Sequence, residues 1–449
     1  MKARAATGRF WSVRLRFMLE AVKLSPVKVE LINTGSELML GRVLNTHQQW
    51  LCRRLADLGF VVTRQVAVAD TAEDIQQAVR ESLSRATLVI TTGGLGPTSD
   101  DITRELIANM LGRELHEDAG VLRQIDEFFA RRNRPRPPGT RVEAQVPSGA
   151  IVLPNHYGTA PGLALAIDPD PAGAALNSPG RKWLIMLPGP PRELRPMFDL
   201  AVTPLLHREL IPEFFACRTL RSAGIGESMV QDAVAPPLQS LVADGLGIGY
   251  CARPGAVDVR LTASGEHAAN LVAQGQAIVE KVLGKSIFGY DDEEIEQVII
   301  RRLTEQKKTL ALAESCTGGA IAHRLTNVPG ASVVFRGGIV SYSNDAKQIF
   351  LGVRTESLTT HGAVSEEVAS EMAVGVREAL GADYSLAVTG IAGPGGGTES
   401  KPVGTAYIAL AFSGGVKVTK QLNAWDRETF KLVTTQQALE LLRVTLLMI

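Results

Sequence analysis

Ser315, Tyr342 and Lys347 are the residues of this 449-residue chain best placed to make and break an acyl bond, because each falls at a turn between an apolar strand pattern and a helix pattern. Serine with a nearby lysine is a known arrangement for activating a hydroxyl nucleophile. Thr309–Ala313 reads as a short buried strand, Glu314–Gly319 as a turn and Ala320–Leu325 as the start of a helix. Ser315 would then sit where helix N-terminal N–H groups point outward unpaired, a ready cradle for an oxyanion or a phosphate. Thr317, Gly318 and Gly319 would line that approach, the glycines letting backbone come close to a ligand. Gly338–Tyr342 reads as a second strand and Asn344 as a helix cap, which leaves Lys347 in the first helical turn. On residue types alone, a plain N-cap with a tight turn also accounts for Ser-x-Thr-Gly-Gly and is the commoner use of those residues.

Cys316 is the rival nucleophile, but neighbouring side chains on a turn point apart and no histidine or metal pattern supports a thiolate. His323 and His361 read as structural. After a strand at Tyr384–Thr389 comes a glycine-rich loop, Gly390–Gly397, whose Gly390 and Gly393 are expected to cradle a substrate phosphate. Two further loops end strands early in the chain. One is Gly35–Leu38, with Glu37. The other is Gly93–Asp101, where Gly94, Gly96 and Thr98 would form a nest of N–H groups and the paired carboxylates Asp100 and Asp101 would hold a hard cation. An N-cap at Asp100, a dipole partner at Asp101 and glycines that only turn the chain fit that loop equally well.

The elements that must carry these residues alternate. Strands at Lys28–Thr34, Val61–Ala69 and Thr87–Thr92 flank helices at Thr46–Leu58 and Thr71–Leu83, the pattern of a parallel sheet covered on both faces with ligands at the strand C-terminal ends. Strands at Gly162–Ile167 and Lys182–Leu187 bracket Asp168–Gly180, read as an enlarged surface loop. Beyond Pro212 the pattern becomes a small α+β unit: strands at Arg218–Ala223, Gly247–Cys251 and Ala256–Ala263, helices at Gly226–Ala235 and Glu266–Leu283. A helix at Asp291–Gln306 opens the last domain, a helix follows at Ser365–Leu380, a strand at Thr405–Phe412, and Arg427–Met448 closes the chain as a helix with a core-packing end.

Lys+Arg and Asp+Glu balance at 47 each, so no global field favours nucleic acid, and Arg131–Arg136 reads as a solvated face. Four scattered cysteines form neither a disulfide framework nor a zinc site, which suits a reducing cytoplasm. No apolar run reaches the length of a membrane span. Residues 1–26 are a basic extension, read as an untidy segment before the first strand with Met18 a candidate start.

Taken together, AESCTGG, VPGASVVFRGGIVSYSNDAK, GAVSEEVASEMA, AVTGIAGPGGG and KPVGTAYIAL resemble, in order, the C-terminal domain of the CinA (competence/damage-inducible) family, whose members include nicotinamide-mononucleotide deamidases. TGSELMLGRVLNT, TTGGLGPTSDDITRE, GTAPGLAL and LPGPPREL resemble the molybdopterin-binding-type domain of the same family, to which metal-dependent hydrolysis of ADP-ribose is attributed. The resemblance implies an α/β fold class: an α/β sandwich at 27–212, a small α+β middle domain at 213–290 and an amidase domain at 291–449. It also implies Ser315 as nucleophile, Tyr342 and Lys347 as its activating partners, and Arg427 beside the substrate. Asp100, Asp101 and Glu37 would handle a divalent metal such as Mg and a diphosphate, and the amidase would need no cofactor. The implied partners are nicotinamide mononucleotide and ADP-ribose, with no nucleic acid and no membrane, in a cytoplasmic homodimer. Two stretches depart from the family. Arg141-Val142-Glu143-Ala144-Gln145 stands where an Asn-Arg-Lys-Gln-Ala-like segment is expected, with Arg141 a partial substitute. Trp425 replaces the glycine before Asp426-Arg427.

Overall fold

The computed structural model describes residues 27–168, 181–210 and 215–448; the basic extension, most of the 168–180 loop and the 212/213 boundary lie outside the described residues. The described residues form two compact units, one of those up to Cys217 with Ser264–Ala268, the other of Arg218–Ala263 with those from Ala269 onward.

In the first unit a six-stranded sheet runs in the order Val62–Val68, Val29–Thr34, Leu88–Thr92, Lys182–Leu187, Gly162–Ile167, Ile151–Leu153. Successive side chains of a strand face opposite ways, and here both faces are apolar. Leu31, Leu88, Ile90, Ile185 and Leu187 join Leu51 and Leu55 in one core, while Ile32, Val89, Leu184 and Met186 join Ile75, Val79 and Leu83 in the other. The parallel pairing expected of the three strands from Lys28 to Thr92 holds, and the sheet as a whole is mixed. The first four strands are parallel, but Gly162–Ile167 pairs antiparallel with both its neighbours. Residues 154–161 are too few to hold the crossover helix that a parallel partner needs. Helices at Thr46–Asp57 and Ala72–Arg85 start at the caps Asn45 and Thr71, whose side chains accept from Gln48 N and Asp74 N.

The second unit contains two sheets. A four-stranded one orders Gly247–Arg253, Ala256–Ser264, Phe215–Ala223 and Ile287–Tyr290. A five-stranded one orders Phe335–Val340, Leu310–Glu314, Tyr384–Gly390, Thr405–Phe412 and Gly415–Leu422, its first three strands parallel and its last two antiparallel. The Leu-Ala-Leu-Ala alternation of Leu310–Ala313 divides its faces by size. Leu310 and Leu312 pack with Ile299, Ile321, Leu325 and Leu439, whereas Ala311 and Ala313 meet Val368, Met372 and Val376 of the Glu366–Leu380 helix. Small residues on that face let the helix come close to the strand; against a different element, the end of the Asn344–Leu351 helix, a Cβ at its Gly375 would lie 1.8 Å from the Leu351 carbonyl oxygen. The last helix spans Arg427–Leu446, capped by Asp426. No helix among the described residues is long and apolar enough to cross a membrane.

Candidate active site

Parallel pairing puts the C-terminal ends of Leu310–Glu314, Phe335–Val340 and Tyr384–Gly390 side by side, and the chemistry collects there. Ser315 follows the first strand directly, its N–H donating to Val388 O at 3.0 Å, while Ser341 N donates to Glu314 O at 2.9 Å. These bonds fix both turns at one height. Lys347 reaches across from the next helix: its Nζ lies 3.1 Å from Ser315 Oγ and donates to the Ser341 carbonyl at 2.8 Å. The lysine is 1% exposed and the serine 8%. Burial lowers the Lys347 pKa, which favours the neutral amine a proton acceptor must be. Its helix, Asn344–Leu351, is capped by Ser343, which accepts from Ala346 N, so the expected cap at Asn344 is corrected by one residue.

The expected anion cradle at the following helix is overturned. Glu314, 2% exposed, accepts from Gly319 N at 3.0 Å, Ile321 N at 3.2 Å and Ala322 N at 2.9 Å. A carboxylate of the protein itself therefore occupies the N-terminus of Ala320–Thr326, where a ligand's negative charge would otherwise sit. In the sequence an acidic residue ahead of a glycine-rich helix start marks the position without telling which way its side chain turns. Gly318 and Gly319, at φ of +61° and +93°, turn the chain so that the N–H groups converge on Glu314. Thr317 is fully buried and its hydroxyl has no hydrogen-bond partner.

Tyr342 is 62% exposed, and its hydroxyl accepts from Arg427 Nη2 at 2.6 Å. Arg427 also donates to Gly393 O at 2.8 Å. Tyr342 thus belongs to a latch with Arg427, and Lys347 meets the serine directly. Gly390 is tightly enclosed: a Cβ there would lie 2.9 Å from Thr405 O and 3.0 Å from both Cys316 Sγ and Phe430 Cζ, so its small size serves packing. Cys316 is 6% exposed, and burial pushes its thiol up to about 12, which keeps it protonated at neutral pH. His323 and His361 are exposed.

In the first unit a cavity of about 380 Å³ opens at the strand ends, lined by Thr34, Gly94, Gly96 and six carboxylates, Glu37, Asp70, Asp100, Asp101, Glu143 and Glu193. The walls include no lysine or arginine. Such a donor set suits a hard divalent cation, which would be needed to offset the repulsion of a diphosphate. Glu37, Asp100 and Asp101 do not converge on one point, however, and no three acidic, histidine or cysteine residues among the described residues are grouped to hold a metal. Asp101 turns back to accept from Thr98 N at 3.0 Å and from the Thr98 hydroxyl. The alternative that Asp100 is an N-cap is ruled out, because the helix begins later, at Thr103, after Ile102. Gly94 is held tightly: its carbonyl accepts from Thr103 N, and a Cβ there would run into the Thr103 hydroxyl.

Arg141 does not substitute in this cavity; it is paired with Glu117. Glu143, which carried no signal in the sequence beyond the departure from the family pattern, enters instead. It is 1% exposed, accepts from Thr159 Oγ1 at 3.1 Å, and leaves its Oε2 unpartnered. Burial raises its pKa to about 7. Between the ordinary carboxyl value and about 7 the native state holds a proton that the unfolded chain has released, so stability falls as pH rises through that window. Glu143→Gln is expected to gain up to roughly 3 kcal/mol over wild type at pH 8 and nothing at pH 4.5, measured by denaturant unfolding at the two pH values.

Two α/β units, one with an acid-lined glycine loop and the other with a buried serine–lysine pair, make this a multidomain α/β protein with two separate candidate sites. Residues 30–208 match the family described as Probable molybdopterin binding domain, 217–289 the Damage-inducible protein CinA KH domain and 292–446 the CinA C-terminal domain. The chain is 44% identical over 417 residues to a CinA-like protein of Akkermansia muciniphila, covering 93% of this chain and 97% of that one. It is 40% identical over 424 residues to a CinA-like protein of Kosmotoga olearia, covering 94% and 99%. Among solved structures, the competence/damage inducible protein CihA from Agrobacterium tumefaciens is 42% identical over 34% of this chain and 96% of that one, with a TM-score of 0.33. The chain belongs to the CinA, or competence-damage inducible, family.

Proposed function

We propose that the C-terminal domain hydrolyses the carboxamide of nicotinamide mononucleotide to nicotinate mononucleotide and ammonia, a salvage reaction of pyridine nucleotides. The observation that carries this reading is the 3.1 Å contact between a buried Lys347 amine and Ser315 Oγ. A neutral Lys347, one N–H held by the Ser341 carbonyl, takes the serine proton as Oγ attacks the amide carbon. The ammonium so formed returns a proton to the departing nitrogen, ammonia leaves, and water, deprotonated by the same amine, releases the acid. Because Glu314 occupies the N–H groups of Gly319, Ile321 and Ala322, we assign substrate charge first to the Arg427 guanidinium.

Ammonia release from nicotinamide mononucleotide by the full chain tests the reading; its absence at saturating substrate sinks it. Since the amine must be neutral, kcat/KM is expected to rise with pH, with its inflection below about 10.4, the ordinary lysine value. An inflection at or above that value would remove Lys347 as the base.

For the N-terminal domain we propose cation-dependent hydrolysis of ADP-ribose to AMP and ribose 5-phosphate. The acid-lined cavity supports a bound divalent ion such as Mg, which would neutralise the diphosphate. The failure of Glu37, Asp100 and Asp101 to converge favours a second reading, a pterin-nucleotide binding domain without hydrolysis, in keeping with its family description. AMP release in the presence and absence of Mg distinguishes the two. A cytoplasmic homodimer acting on small nucleotides, with no nucleic acid or membrane partner, completes the proposal; sedimentation checks the dimer.

A further inference from the structure

We propose that Lys431 completes, with Arg427, a phosphate clamp at the mouth of the Ser315 turn and thereby selects phosphorylated over unphosphorylated amides. The inference rests on the amidase reading of that site and adds the residue that determines its specificity.

Lys431 lies one helical turn after Arg427 on the Arg427–Leu446 helix, so both side chains leave the same face. Its Nζ lies 3.7 Å from the point a Cβ on Gly318 would occupy, which places the ammonium against the open side of the turn that carries Ser315. Gly318 N donates to Ser315 O at 3.1 Å, closing that turn, so the two residues lie within about 7 Å of each other at Cα. Arg427 meanwhile donates to the Gly393 carbonyl and to the hydroxyl of Tyr342, which follows the strand paired with the one that leads into Ser315.

The charge of Lys431 is uncommitted. Among the described residues no carboxylate or carbonyl pairs with its ammonium. Of the acids at this end of the helix, Asp426 is occupied as the cap, accepting from Glu428 N and Thr429 N, and Glu428, three residues before Lys431, forms no ion pair with it. Lys308, Lys182 and Lys401, by contrast, each hold an acceptor. With the Ala320–Thr326 N-terminus already filled by Glu314, the turn's backbone supplies no helix-end site for an anion, and Arg427 and Lys431 are left as its cationic partners. A planar guanidinium and a point-charge ammonium together suit a phosphate dianion better than a neutral hydroxyl. In a pyridine mononucleotide the ribose separates phosphate from carboxamide, so a clamp at the mouth leaves the amide to reach Ser315.

The test compares wild type, Lys431→Met and Lys431→Arg in the full chain, with nicotinamide mononucleotide and its riboside as substrates at fixed ionic strength. Methionine keeps the apolar stem, and the thermal midpoint checks folding. The ratio of kcat/KM for mononucleotide over riboside is expected to fall at least tenfold in Lys431→Met, through KM, and to return to within threefold in Lys431→Arg. An unchanged ratio overturns the proposal. Calorimetric titration with ribose 5-phosphate separates it from the amidase reading. Binding seen in wild type and weakened tenfold in Lys431→Met upholds the clamp even in a chain that releases no ammonia; no binding in wild type, or equal binding in both, overturns it.

Discussion

Lys347→Met is expected to lower kcat for carboxamide hydrolysis by at least about a thousandfold, the scale of losing the group that activates a hydroxyl nucleophile. Without the amine, the Ser315 hydroxyl keeps its proton, since no histidine stands beside it and the Tyr342 hydroxyl is engaged by Arg427. Ser315→Ala should cost as much, and the double substitution hardly more than either alone, because the pair acts as one unit. Cys316→Ala should stay near wild type, its thiol being protonated and buried. Folding need not suffer: methionine fills a 1% exposed site and removes a buried amine, leaving the Ser341 carbonyl and Ser315 Oγ without their donor, at about 1–3 kcal/mol each. Single-turnover kinetics with matched thermal midpoints make the measurement. A variant retaining more than a tenth of wild-type kcat would eliminate Lys347 as the base.

Glu314→Ala is expected to have the largest effect on stability. One side chain satisfies three N–H groups, two of them on the first turn of Ala320–Thr326 and one on Gly319. Removing it strands three donors in a part of the molecule with little water, at roughly 1–3 kcal/mol each, so a total loss of about 4 kcal/mol is expected. Glu314→Gln keeps the shape and one acceptor oxygen, and should lose about half as much. Amide hydrogen exchange gives a local readout: Gly319, Ile321 and Ala322 should lose protection in the alanine variant before the strand Leu310–Glu314 does. Equal stability in the alanine variant and wild type would mean that the three bonds contribute nothing net. Activity should fall with stability here, because the same turn presents Ser315.

How far the sequence carried depends on whether a property was local or not. The alternation of apolar runs with helix patterns was enough for the α/β fold, and Leu310–Ala313 and Tyr384–Thr389 were legible as strands because each is a short buried run bounded by turn residues. The strand and helix patterns placed Ser315 at a strand end and Lys347 in the first turn of the next helix but one. They could not reveal the antiparallel edge of the first sheet, since register and direction come from which strand is adjacent in space. Nor could they reveal that Glu314 fills its own helix start, because an acid before a helix reads alike whether it faces solvent or folds back on the N–H groups.

What the sequence by itself determined was the class of fold, the family, and the residue types able to do chemistry. Tertiary structure decided which of those residues meet. It joined Lys347 to Ser315 across 32 positions, drew Tyr342 away to Arg427 across 85, and brought Glu143 rather than Arg141 to the N-terminal cavity. The physical reason is that hydrogen bonds, desolvation and charge act over a few ångströms of space. A sequence records separation along the chain, and only folding converts one into the other.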